Sequence, residues 1–180
     1  MANEIVRTMP CSVEAEQYVI GSIIFDNECI SEVISRLKPD DFYLEQHKLI
    51  YNAIISLSNR AQPVDIITLK NELQGVFDNA GGVEYLTEIR LMVTTTANLK
   101  HHIKIIEDMA ILRRLIRSCS EIMDSGYNAN DDVNIILNNA ESKIYDILQN
   151  RQMTELYPIR DILAENLSNL EDMLKSQDKS

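Results

Sequence analysis

The chain has 180 residues, 45% hydrophobic and 25% charged, with only 5 glycines and 4 prolines, which suits one compact helical domain with an appendage. Its 28 acidic residues outnumber 17 basic ones for a net charge of −11, so the averaged field repels phosphate and argues against nucleic acid as a direct ligand. No apolar run approaches the roughly 18 residues of a membrane span, and the N-terminus lacks a signal-peptide pattern, which makes the cytoplasm the default.

The elements follow in order. Ser12 is placed to cap a helix running through Phe25, with Glu14 and Glu16 in the first turn where the helix dipole favours them. A second helix runs to about Leu37 and ends before Lys38-Pro39-Asp40, because the residue preceding proline avoids helical geometry. The loop Asp40-Asp41-Phe42-Tyr43 is expected to deliver both aromatics to the core. Leu49, Ile50, Ala53, Ile54 and Leu57 predict an amphipathic helix from Glu45 to Asn59. Asp65 caps a short helix carrying Ile66, Leu69 and Leu73, and Gly81-Gly82 opens another carrying Val83, Leu86 and Ile89.

After Thr94-Thr95-Thr96 the pattern lengthens. From Asn98 no Gly or Pro interrupts until Gly126, roughly 42 Å of helix, with Ile106, Met109, Leu112, Ile116, Cys119 and Met123 as its stripe. A polar turn to Asp131 leads into an opposing helix with Val133, Ile136, Leu137, Ala140, Ile144, Ile147 and Leu148. The two make an antiparallel hairpin too long for the preceding head to cover. We therefore expect self-association, against the alternative that the head folds back over the hairpin. Pro158 then starts a last amphipathic helix, 157–175, whose Leu163, Leu167, Leu170 and Leu174 find no partner in the remaining sequence. That helix reads as a docking or linker element for another subunit or further sequence.

Chemistry is sparse. None of Gly21, Gly75, Gly81, Gly82 and Gly126 is followed by lysine, so no GxxxxGK[ST] phosphate loop is present, and no cofactor is expected in this segment. His47 stands alone and His101-His102 point about 100° apart on a helix, so all three read as surface or hairpin-packing residues rather than metal ligands. Cys11, Cys29 and Cys119 have neither disulfide-framework nor zinc spacing and read as small buried hydrophobes. Asp40-Asp41 and Asp131-Asp132 read as turn caps. Arg113, Arg114 and Arg117 beside Lys100 and Lys104 form a local basic cluster that Glu107, Asp108 and Glu121 can offset, against the alternative that it meets phosphate.

Several blocks in order resemble the bacterial DnaB-type replicative helicases: Ser12-Val13-Glu14-Ala15-Glu16-Gln17-Tyr18-Val19-Ile20-Gly21, Pro39-Asp40-Asp41-Phe42-Tyr43 with His47-Lys48-Leu49-Ile50-Tyr51, and Pro63-Val64-Asp65 with Thr68-Leu69. Gly81-Gly82-Val83-Glu84-Tyr85-Leu86, Ala97-Asn98, Leu112-Arg113-Arg114-Leu115-Ile116 and Pro158-Ile159-Arg160-Asp161-Ile162-Leu163 continue it. Cys11, where many relatives carry His or Gln, and Val93-Thr94-Thr95-Thr96, in place of a proline-containing loop, depart from the pattern.

The resemblance implies an all-α N-terminal domain: a globular head (1–94), a hairpin for oligomerisation (95–151), and a linker helix region (152–180) leading to a RecA-like motor. Hairpins would pair into dimers that build a hexameric collar. The collar would bind primase and a helicase loader, and the linker would dock on the neighbouring motor. ATP, Mg, unwinding and most DNA contact would belong to that motor. The expected hairpin-pairing residues are Ile136, Leu137, Ile144 and Leu148, with Leu112, Leu115 and Ile116 packing the hairpin or its partner. Ile159, Leu163, Leu167 and Leu170 are expected to dock the linker. The rival readings are a stand-alone helical adaptor or loader built on the same domain and, more remotely, a helical-bundle metalloenzyme.

Overall fold

The computed structural model describes residues 8–128 and 132–154, the last five as backbone only. Among them lie seven α-helices and no strand. The first, α1 (Val13–Phe25), starts where expected: Ser12 Oγ accepts the Ala15 N–H at 3.3 Å. Its Ala15, Val19, Ile20, Ile23 and Ile24 are all buried. A helix apolar around so much of its circumference belongs at the centre, and α1 packs on α3 (Glu45–Asn59), α5 (Gly82–Met92) and α6 (Leu99–Asn128).

Local hydrogen bonds fix the connections. The Asp26 carboxylate accepts the Glu28 N–H and opens a 3₁₀ turn that runs into α2 (Ile30–Arg36). The Asn27 side chain then pairs with both Val64 N–H (2.7 Å) and Val64 C=O (2.9 Å), pinning the approach to α4 (Ile66–Glu72) against the end of α1. Asp65 Oδ1 accepts the N–H groups of Ile67 and Thr68, both at 2.8 Å, while Thr68 Oγ1 accepts the Asp65 N–H, a complete capping box. Gly81 (φ 94°) and Gly82 (φ 69°) turn the chain into α5 through left-handed geometry that side chains resist. Gly21 is required for a different reason. A Cβ there would lie 2.3 Å from the Ile89 carbonyl oxygen, so α1 and α5 approach as closely as they do only because position 21 has no side chain.

The head closes on the first half of α6, whose Leu99, Ile103, Ile106 and Ala110 join the core. After Arg113 no described residue is buried. From there α6 and α7 (Val133–Thr154) leave the head as a packed pair, bridged by an ion pair between Lys143 and Glu121.

Several local expectations change. Of the two loop aromatics only Phe42 enters the core; Tyr43 is exposed, as is Val83 at the start of α5. Cys11 and Cys119 are exposed and are not core hydrophobes, while Cys29 is half-buried and packs against the core. α6 does not stop at Gly126 but continues to Asn128, since one glycine costs a helix only about 1 kcal/mol and nothing crowds that position. The linker helix proposed for 157–175 lies outside the described residues.

Gly21→Ala should lower stability by about 1–3 kcal/mol through the forced separation of α1 and α5. Urea unfolding followed by circular dichroism measures this, and an unchanged midpoint would mean that the α1–α5 contact relaxes at no cost.

Candidate protein–protein interface

α6 is apolar on two sides. Leu99, Ile103, Ile106, Ala110 and Arg113, spaced by four and three, face the head and are buried. Leu112, Ile116, Cys119 and Met123 repeat the same spacing two residues out of step, which rotates them about 200° to the opposite side. Leu112 (42%), Ile116 (39%) and Met123 (58%) are exposed there. The single stripe expected from Ile106 to Met123 is thus two faces. Ile106 belongs to the head, and Leu112 onward do not.

On α7 the residues expected to mediate pairing separate by exposure. Leu137 (61%) and Leu148 (53%) stand in solvent, whereas Ile136 and Ile144 are half-buried. Leu137, Ile144 and Leu148, spaced by seven and four, share a face. Leu115 is also exposed, at 36%. Ile159, Leu163, Leu167 and Leu170 lie outside the described residues. The described hairpin therefore carries exposed apolar residues on both helices: Leu112, Leu115, Ile116, Met123, Leu137 and Leu148. Monomeric surfaces rarely leave so many large side chains near one another uncovered.

The head contains a polar constellation that the sequence reading missed. Glu16, 1% exposed, accepts the Tyr43 N–H (2.7 Å), the Leu44 N–H (3.4 Å) and the His47 Nδ1–H (2.6 Å). His47 Nε2 in turn meets the Tyr85 hydroxyl, which accepts from Gln17 Nε2 at 3.1 Å. The chain of bonds closes with Nδ1 as donor and Nε2 as acceptor of the Tyr85 O–H. His47 is thus a fully buried core residue, not a surface one, because it shares the apolar face of α3 with Ile50, Tyr51 and Ile54 at spacings of three, four and seven. Glu16 stands in the same relation to Val19, Ile20 and Ile23 on α1. Two polar residues on two apolar faces were the available signal, since each requires a buried partner. A carboxylate–imidazole–phenol chain resembles acid–base machinery, but neither Glu16 nor His47 is open to a substrate.

His101 is exposed on α6, and His102 packs toward the head, not the hairpin, stacking on Tyr18 with ring centroids 4.1 Å apart. The Tyr18 hydroxyl donates to the Thr95 carbonyl at 2.6 Å. Among the described residues no group of His, Cys, Asp or Glu converges to hold a metal, and no helix is long and apolar enough to cross a membrane.

Comparison with known proteins places this geometry. The family model of the DnaB-like helicase N-terminal domain matches residues 8–108. The replicative DNA helicase DnaC of Bacillus subtilis is 37% identical over 93% of the chain, and the replicative DNA helicase DnaB of Geobacillus stearothermophilus is 35% identical over 96%. The chain spans 37% and 38% of their lengths. The crystal structure of the N-terminal domain of DnaB helicase from Mycobacterium tuberculosis matches with a TM-score of 0.74 at 34% identity, covering 77% of this chain and 99% of that one. A structure of a DnaB-like replicative helicase, described with its interactions with primase, matches with a TM-score of 0.68 at 26% identity, covering 88% of this chain and 36% of that one.

Two predictions follow from the polar groups of the head. Glu16→Ala should cost about 3 kcal/mol or more, because it leaves two amides and an imidazole without their acceptor. Glu16→Gln, which keeps an acceptor, should cost less, and equal unfolding midpoints for all three proteins would remove the network from the stability account. Burial, with His101 adding, pushes the His102 imidazole below its ordinary value of 6.5. Below that pH the unfolded chain binds more protons than the folded one, so stability should fall as pH drops through 6.5. His102→Phe, which retains an aromatic ring against Tyr18, should flatten that part of the pH dependence of the urea midpoint.

Proposed function

Because the chain belongs to the DnaB-like helicase N-terminal domain family, we propose that it is the collar domain of a replicative DNA helicase and works by assembly and docking rather than by catalysis. The observation that carries this reading is the uncovered apolar surface of the hairpin, with Leu112, Leu115, Ile116, Leu137 and Leu148 exposed. Two copies placing these faces together about a twofold axis would bury each residue twice, at about 1.5–3 kcal/mol per side chain. In this proposal residues 1–94 form the head, 95–151 the pairing hairpin and 152–180 the linker. Dimers would build a hexamer.

The partners follow from the same reading. The solved DnaB-like helicase is described with its interactions with primase, and we carry primase to this chain as a docking partner of the collar. A helicase loader is the second partner. The linker, with Ile159, Leu163, Leu167 and Leu170, reaches a neighbouring motor domain of the parent enzyme, where ATP and Mg power unwinding in the cytoplasm.

Ile144→Asp should lower the assembled mass measured by sedimentation, with the helical signal of the head retained. Leu137→Asp, at a more exposed position, should do the same without disturbing internal packing. Each should weaken pairing by about 3–6 kcal/mol, since an isologous interface loses the contact twice. An unchanged mass in both variants would sink the pairing assignment.

A further inference from the structure

Where α6 leaves the head, its head-facing side changes character. Leu99, Ile103, Ile106 and Ala110 give way on that side to Arg113, Arg114 and Arg117, so guanidinium groups line the notch between the Pro39–Asp41 turn and the departing helix. The notch encloses about 350 Å³ and is lined by Lys38, Asp40, Asp41, Ala110 and the three arginines. That is room for on the order of ten waters, or for a side chain.

The cations in it are unequal. Arg113 is 3% exposed and committed to the fold: it donates to the Pro10 carbonyl at 2.7 Å and to the Asp41 carbonyl. Both acceptors are neutral, and the carboxylates of Glu16 and Asp41 bear on its charge. Arg114 lies 3.5 Å from Asp41 Oδ1, a loose ion pair, and its Nε is buried without any acceptor. Asp41 is itself divided, since its other oxygen caps the Lys38 N–H at 2.7 Å. Arg117 bears on Arg113 as a like charge. Among the described residues no carboxylate pairs with Arg117 or with the Lys38 ammonium. Elsewhere among the described residues Arg36 pairs with Glu107, Lys100 with Glu32 and Lys104 with Asp108, whereas this notch gathers two cations without a paired carboxylate.

We propose that this notch is a docking site for an acidic side chain of a partner polypeptide, held by Arg114, Arg117 and Lys38. A carboxylate fits the fork of Arg114 and supplies the acceptor its Nε lacks. A nucleic-acid backbone fits worse. Asp40 and Asp41 on the rim oppose a run of phosphates, and the net charge of −11 repels a polyanion from afar. The exposed Tyr43 ring beside the Arg113 guanidinium, 5.8 Å from its centroid, offers an apolar contact to the residue flanking the acid. The site is separate from the apolar hairpin face and goes beyond the collar reading.

A labelled short peptide carrying a single glutamate in an otherwise uncharged sequence, titrated against the whole chain at low salt and followed by fluorescence anisotropy, tests the site. Arg114→Gln with Arg117→Gln should weaken binding by about tenfold or more. The matched control, Lys100→Gln with Lys104→Gln, makes the same charge change on the same helix and should leave binding intact. Both should keep the wild-type circular dichroism, and Ile144→Asp should bind the peptide normally whatever its assembled mass, which separates this result from the pairing test. The proposal is overturned by absence of peptide binding, by equal loss in the control, or by single-stranded DNA binding more tightly than peptide and depending on the same two arginines.

Discussion

The buried carboxylate of Glu16 is the contact on which the arrangement of the head depends. α3 begins after Leu44, and the amides of Tyr43 and Leu44 that lead into it find their acceptor on α1. The same carboxylate orients His47, and His47 reaches Tyr85 on α5. One anion thus specifies where α3 starts, which way it faces and how α5 lies against both. A hydrophobic core alone tolerates sliding of helices by a turn, whereas a set of buried polar groups is satisfied in one register.

Arg113 performs a related task close by, its guanidinium lying over the ring of Tyr43, whose amide Glu16 accepts. By holding the carbonyls of Pro10 and Asp41 it ties α6 to the entry of α1 and to the turn before α3. The bidentate pair of Arg36 with Glu107, at 2.9 and 2.6 Å, adds a second tie between α6 and α2. These charged contacts sit along one half of α6, and beyond them the helix is free to present its second apolar face. The separation of fold from interface therefore lies within a single helix, whose two faces are offset by two residues in sequence.

Much of this was legible in the residues. Caps at Ser12 and Asp65 and the glycine turn at Gly81-Gly82 are local signals, and they placed α1, α4 and α5 correctly because each depends on a few neighbouring atoms. The length of the hairpin followed from the lack of Gly and Pro after Asn98. What was not legible depended on pairs distant in sequence. Position 21 had the right residue for the family resemblance, but its reason, the carbonyl of Ile89, lies 68 positions away. Cys11 and Cys119 were assigned to the core by residue type, although their exposure follows from where the head ends. Arg113 looked like one member of a surface cluster until its two carbonyl partners appeared. Of the residues expected at the interface, those on the linker fall outside the described residues, and those on the hairpin divide by angular position around each helix, which depends on where the partner helix lies.

The continuity of α6 has a mechanical consequence. The helix is clamped in the core over its first half and runs on, unbroken, for about 22 Å past Arg113. It is a cantilever whose root is the head. A tilt of about 5° at the clamp would carry the tip about 2 Å sideways, near the tolerance of close-packed side chains. Substitutions around Ile103 or Ile106 would thus act at a distance, by changing the angle at which the arm leaves its socket while leaving the arm's own surface untouched.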